Sequence, residues 1–145
     1  MSGIPKIIRG TADEANYVRN KLIEFNSRHA PNGIYEETNL CVKDETGNII
    51  AGLNSAICWN WMEIDILWVD DEYRGCGHGK RLLEEAERIA VSKHCTFIKL
   101  NTFSFQAPEF YKKYGYREMA VIENAPLGYQ HYYFIKDLTD NEENL

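Results

Sequence analysis

The run Arg74-Gly75-Cys76-Gly77-His78-Gly79-Lys80-Arg81 sets glycines at alternate positions among cationic side chains. It follows a β-rich segment, Trp61–Val69, and precedes a stretch in which Leu82, Leu83, Ala86, Ile89 and Ala90 recur at helical spacing. A strand that turns through glycines into a helix leaves backbone N–H groups without intrahelical partners, and the helix dipole adds positive potential at the same point. Such a turn is an anion site, with phosphate as its natural guest. Gly77 and Gly79 let the main chain approach without Cβ clashes, while Arg74, Lys80 and Arg81 supply fixed charge. The spacing excludes two other phosphate loops. Where a Walker loop needs its first glycine the chain has Arg74, and Lys80 is followed by Arg81; a dinucleotide fingerprint would need its third glycine one residue later. Taken alone, the glycines fit a purely structural turn equally well.

Two carboxylates, Glu63 and Asp65, lie two residues apart on the segment that feeds this turn, so as strand residues they share a face. Both cannot be buried and ionised cheaply, and mutual repulsion would raise the pKa of one of them into the range of a base that works near neutrality. The alternative is that either acid faces solvent or caps a loop. Cys76 lies inside the turn with no base evident beside it, which argues against a nucleophile. His78 projects from the turn as a surface residue would, and His29, His94 and His131 form no recognisable constellation. The four cysteines include no C-x-x-C pair and no histidines at zinc spacing, so no metal site is expected and free thiols in a reducing compartment are.

Several elements must position these groups. Lys6–Arg9 reads as a short first strand, and Thr11 with Glu14 forms the S/T-x-x-E box that opens a helix running to about Ser27, apolar at Ala15, Val18, Leu22 and Phe25. Leu40–Lys43 and Ile49–Cys58 form a hairpin around the Asp44–Asn48 reversal. After the glycine turn and its helix come a buried-type strand, Thr96–Leu100, and a short helix, Pro108–Tyr114, with proline in its first turn and Gly115 closing it. Strands at about Tyr116–Glu123 and Tyr129–Lys136 flank the turn at 124–128. The order is β-α-β-β-β-α-β-α-β-β, an α/β (α+β) domain with a mixed sheet and helices packed on it.

Composition bounds the rest. A chain of 145 residues, 44% hydrophobic and 26% charged, suits one globular domain at 1–138, followed by a polar, acidic tail at 139–145. No window approaches the roughly 18 apolar residues of a membrane span and the first residues lack a signal peptide, so a cytoplasmic location without membrane association is expected. A net charge of −6 argues against nucleic acid as a partner, because that affinity rests on basic groups that neutralise phosphates.

Arg74-x-x-Gly77-x-Gly79, between its strand and helix, matches the R/Q-x-x-G-x-G/A pyrophosphate motif of the GNAT superfamily of N-acetyltransferases. Gln106-Ala107-Pro108-Glu109-Phe110-Tyr111-Lys112-Lys113-Tyr114-Gly115-Tyr116 resembles that family's late segment in its Phe-Tyr and Gly-Tyr pairs. The element order, from Ile7 to about Leu138, is the family's too, and the chain looks like a short bacterial member.

The resemblance implies a mostly antiparallel sheet with a V-shaped splay. It also implies acetyl-CoA as cofactor, its pyrophosphate on the turn formed by Arg74, Gly75, Cys76, Gly77, His78, Gly79 and Lys80, and its pantetheine arm beside Leu67, Trp68 and Val69. Gln106 stands near the place of a cofactor-contacting asparagine. Transfer would be direct, to a primary amine of a small molecule or peptide. Glu63 falls by register where some members carry a catalytic glutamate, with Asp65 and water as alternatives for the proton step. Tyr111 matches the tyrosine that protonates or hydrogen-bonds the departing sulfur, the alternative being a core tyrosine.

Glu36 and Glu37 fall in a loop that often covers the acceptor site, where they would favour a positively charged ligand. Trp59, Trp61, Trp68, Phe103, Phe105, Tyr129, Tyr132 and Tyr133 are expected near the strand ends around the pocket, most of them as core and some against the acceptor. Family members commonly form homodimers. A rival reading is an acyl-CoA-binding module without turnover; a toxin that acetylates aminoacyl-tRNA would need a basic surface, which the acidic balance opposes.

Overall fold

A computed structural model of the chain describes residues 3–30 and 33–138; the expected acidic tail lies outside the described residues. The chain divides into two units, Met1–Gly33 and Ile34–Leu145. In the first, Ala12–His29 is helix α1. Its capping box is complete, since Thr11 Oγ1 accepts from the Glu14 N–H at 3.2 Å and Glu14 Oε1 accepts from the Thr11 N–H at 2.8 Å. Lys6–Arg9 is not a strand: residues 3–11 are irregular and Ile7 and Ile8 are fully or largely exposed. The two β-branched isoleucines satisfy local propensity, but no neighbouring strand among the described residues supplies the ladder bonds that make extended backbone a sheet.

The second unit is built on a six-stranded sheet: β1 (Tyr35–Lys43), β2 (Ile49–Cys58), β3 (Trp61–Val69), β4 (Phe97–Phe103), β5 (Arg117–Glu123) and β6 (Gln130–Asp137), in the spatial order β1-β2-β3-β4-β6-β5. Only β3–β4 is parallel. β1 starts five residues before the expected Leu40, so Glu36 and Glu37 belong to a strand and not to a covering loop. Helices α2 (His78–Ser92) and α3 (Pro108–Lys113) complete the unit.

One stripe of α2, made by Leu82, Leu83, Ala86 and Ala90, is buried against Leu53, Ile57, Met62, Ile64, Ile98, Leu100 and Phe134. Burial of a side chain the size of Leu83 or Phe134 contributes about 1.5–3 kcal/mol, so this inner face anchors α2, and the turn that begins it, to the middle of the sheet. Tyr116 adds a polar tie: its buried hydroxyl donates to Glu87 of α2 at 2.9 Å, and Lys136 of β6 donates to the same carboxylate at 3.1 Å.

Two irregularities of β3 shape everything that follows. Its pairing with β4 runs only from Trp61↔Phe97 to Ile64↔Leu100, although β3 continues to Val69 and β4 to Phe103. Beyond Ile64 the strands part as a V. On its other side, β3 pairs Ile64 with Ser55 and Ile66 with Asn54, which leaves Asp65 as the extra residue of a β-bulge. The bulge switches the alternation. Met62 and Ile64 point inward before it; Leu67 and Val69, which pack against the core, do so after it.

Candidate active site

The V between β3 and β4 opens into a cleft of about 730 Å³, within the range of small-molecule sites. One wall is β3 from Ile64 to Val69, the other is β4 from Leu100 to Thr102 with Phe105, Gln106 and Ala107, and α3 contributes Phe110 and Tyr111. The glycine turn closes one end through Tyr73, Arg74, Gly75, Gly77, His78, Gly79 and Lys80.

At that end α2 begins without a side-chain cap and without an acid in its first turn. None of the backbone N–H groups of Cys76, Gly77, His78, Gly79 and Lys80 has a protein acceptor among the described residues. Converging unpaired donors at a helix N-terminus, with the Lys80 side chain on the same cleft, suit a diphosphate. The glycines serve it for different reasons. Gly75 and Gly77 take φ of 80° and 86°, which L side chains rarely adopt. Gly79 has ordinary φ, but a Cβ there would stand 3.3 Å from the Phe110 ring, so it is needed where α2 meets α3 and not only where a ligand approaches. Arg74 is committed to the protein: Nε donates to the Val69 carbonyl at 3.2 Å and the guanidinium pairs with Asp71 at 2.9 Å, which pins the turn to the end of β3.

Leu67, Trp68 and Val69 lie along the part of β3 that has β2 on one side and no strand on the other, beside the cleft. Gln106 folds back toward β4. Its Oε1 accepts from the Phe103 N–H at 2.8 Å and from the Thr102 hydroxyl at 3.0 Å. Because an amide N–H can only donate, this fixes which end of the carboxamide is oxygen, and the NH₂ is left without a protein partner beside the cleft. Tyr111 is 7% exposed, its ring set against Phe110, Tyr116 and Phe134. Burial pushes its phenol up to about 12, and its hydroxyl has no hydrogen-bond partner among the described residues.

The two carboxylates separate. Asp65, at the bulge, is exposed and is the one acid that lines the cleft among the described residues. Glu63 does not line it; it lies on the outer face of the sheet, 39% exposed, with Lys99 Nζ at 3.9 Å. The shared burial expected of the two is absent: Glu63 is half-buried beside Lys99 in the paired part of β3, and Asp65 is exposed at the bulge beyond it.

The aromatic residues separate as well. Trp68 and Phe105 reach the cleft, but Trp59, Trp61 and Phe97 stack at the opposite end of β3 and β4, and Tyr132 packs on the core. Phe103, Phe105, His131 and Tyr133 form a run of ring contacts on the outer face beside the splay, and His131 Nε2 lies 3.0 Å from Asn101 Oδ1, a cleft residue. Tyr73 and Asn101 carry no signal of their own in the sequence. The Phe-x-Phe spacing of 103 and 105 was visible there, but the pairing of Phe103 with His131 across β4 and β6 was not.

The Acetyltransferase (GNAT) family model matches residues 11–116. The chain belongs to this family. It is similar to the blasticidin-S acetyltransferase of Streptomyces morookaense, 39% identical over 95 residues that span 65% of this chain and 70% of that one. A crystal structure of an acetyltransferase from Bacillus cereus superposes with a TM-score of 0.87 at 43% identity, covering 92% of this chain and 98% of the other. The fold extends to an aminoglycoside 6'-N-acetyltransferase complexed with coenzyme A, at TM-score 0.63, 18% identity and coverage of 79% and 77%.

The protein is thus an acetyl-CoA-dependent N-acyltransferase of GNAT fold, and a binding module without turnover is set aside. No helix among the described residues is long and apolar enough to cross a membrane.

Proposed function

We propose that this acetyltransferase acts as a single domain over residues 1–138 and transfers acetyl directly to the primary amine of a small, positively charged acceptor, at the point where β3 and β4 part. The observation that carries the reading is the continuity of one cleft, with unpaired amides of residues 76–80 at one end, Tyr111 in its wall and Asp65 at its lip. The family match crosses both units of the chain, which supports treating them as one functional domain.

The main-chain N–H groups of Cys76, Gly77, His78, Gly79 and Lys80 would hold the diphosphate, with Gly75 and Arg74 keeping the turn in shape and Lys80 adding charge. Leu67, Trp68 and Val69 offer a strand edge to the pantetheine amides, and Gln106 donates its NH₂ from the facing wall. When bound, acetyl-CoA supplies an activated thioester. The protein's own groups orient the amine and manage protons.

An aliphatic amine has a pKa near 10 and must lose a proton before it attacks, at a cost of about 4 kcal/mol at pH 7. Asp65 takes that proton, directly or through water, a reading supported by its position on the cleft, and Glu63, two residues earlier, is the second candidate. Tyr111 donates a hydrogen bond to the departing sulfur. A phenol near 12 is a weaker acid than an alkyl thiol of about 8.5, so full proton transfer would be uphill by about 5 kcal/mol and the tyrosine stabilises without surrendering its proton.

The test is thiol release from acetyl-CoA by the purified protein with a panel of primary amines. Release that depends on an amine supports the reading; its absence with every amine refutes it. Comparing pH profiles of Asp65→Asn and Glu63→Gln identifies the base, since the variant lacking it should lose the acidic limb of kcat/KM.

A further inference from the structure

Beside the cleft, on the outer face of the sheet, lies a second recess of about 240 Å³. The bulge residues Asp65 and Ile66 line both spaces, so the recess is the next compartment that a molecule reaches from the point where the strands part. Its remaining walls are Tyr35, Glu37 and Asn39 of β1 and Asn54, Ser55 and Ala56 of β2. No lysine, arginine or histidine is among them.

Two acids line this recess, Asp65 at the bulge and Glu37 on β1, and the state of Glu37 contrasts with that of its neighbour Glu36. Strand alternation turns Glu36 the other way, where its carboxylate meets Lys93 at the end of α2 at 3.3 Å. Glu37 has no hydrogen-bond or ion-pair partner among the described residues. Two nearby polar groups are satisfied within the sheet: Asn39 Oδ1 accepts from the Ser55 N–H at 3.3 Å and the Ser55 hydroxyl donates to the Thr38 carbonyl at 2.6 Å. Left over among the described residues are the carboxylates of Glu37 and Asp65, the amide NH₂ groups of Asn39 and Asn54 and the ring of Tyr35, in a space that opens on the point where the strands part.

We propose that Glu37 is a specificity-determining residue: it holds a second cationic group of the acceptor in this recess while the first amine stands at the bulge to be acetylated. The acceptor is then a dication, a diamine or an amine with a guanidinium, and not a simple monoamine. A carboxylate in a half-open recess attracts a fixed positive charge but gains nothing from an alkyl group of the same size, so it discriminates by charge. Transfer consumes one positive charge of the acceptor, and the product, a monocation, leaves with a weaker hold at the bulge. This inference rests on the amine reading given above.

The experiment compares matched pairs of acceptors that differ in the second charge, butylamine with putrescine and benzylamine with para-xylylenediamine, in the wild-type protein and in Glu37→Gln. In at least one pair the wild type should prefer the dication by about five- to tenfold in kcat/KM, expressed mainly in KM, and the preference should shrink as salt is raised. Glu37→Gln should reduce that ratio to near unity while the KM for acetyl-CoA and the melting temperature stay as in wild type. Absence of any preference in both pairs, or a preference that Glu37→Gln leaves intact, overturns the assignment of Glu37 while transfer to amines still stands. Acetylation of none of the four amines overturns the amine reading on which the inference is built.

Discussion

Replacing Tyr111 by phenylalanine removes one oxygen from a side chain whose ring is held on three sides by Phe110, Tyr116 and Phe134. The hydroxyl has no protein partner among the described residues, so the fold loses no hydrogen bond and stability should change by no more than about 0.5 kcal/mol. On the role proposed for Tyr111, what is lost is a donor to the charge that develops on sulfur. A hydrogen bond to an ionising acceptor in a sheltered site contributes about 1.5–3 kcal/mol, so kcat should fall by roughly ten- to a hundredfold while KM for acetyl-CoA moves little.

The pH dependence refines this. Because burial keeps the phenol protonated until about pH 12, wild type and variant should show the same profile up to about pH 10. The assay is steady-state release of free thiol, with melting curves as the control. A kcat within twofold of wild type would refute the role given to Tyr111, and an alkaline limb near pH 8–9 that disappears in the variant would refute the argument about its proton.

Gly79→Leu should both destabilise the protein, by about 1–3 kcal/mol, and weaken acetyl-CoA binding, because its side chain must displace the Phe110 ring as well as crowd the turn; denaturant melts and calorimetric titration would read the two effects, and no change in either would refute the packing seen there. Gln106→Glu keeps an oxygen to accept from Phe103 and Thr102 but removes the NH₂, so acetyl-CoA affinity should fall by about fivefold or more with melting temperature nearly unchanged; intact affinity would remove Gln106 from the cofactor site. Stability should decline between about pH 10 and 12, since Tyr111 and Tyr116 stay protonated in the fold after the same groups ionise in the unfolded chain; the Tyr111 share is about 2–3 kcal/mol at pH 12, and a pH-independent melting free energy over that span would contradict it.

Much of the active cleft was legible in local sequence because its parts are local. The glycine turn is one continuous segment bounded by a strand and a helix with a clear apolar stripe, so residue types and spacing suffice to find it. Pro108 and Gly115 bracket α3 by the same kind of local stereochemistry. What was not legible depends on pairing between distant strands. Lys6–Arg9 has the β-branched residues of a strand but no partner strand among the described residues. The bulge at Asp65 has no signature of its own, and it appears only when β2 and β3 are laid side by side. Glu36 and Glu37 looked alike until β1 assigned one to Lys93 and the other to the outer recess. Trp61 and Trp68 lie on one strand, yet parallel pairing with Phe97 draws the first away from the cleft that the second lines.

The central claim is that main-chain amides at the start of α2 grip the diphosphate of the cofactor. A crystal structure with coenzyme A measures this most directly. The account predicts phosphate oxygens within about 2.7–3.2 Å of several backbone nitrogens between Cys76 and Lys80. A coenzyme whose diphosphate lies elsewhere, with those amides facing solvent, would contradict it.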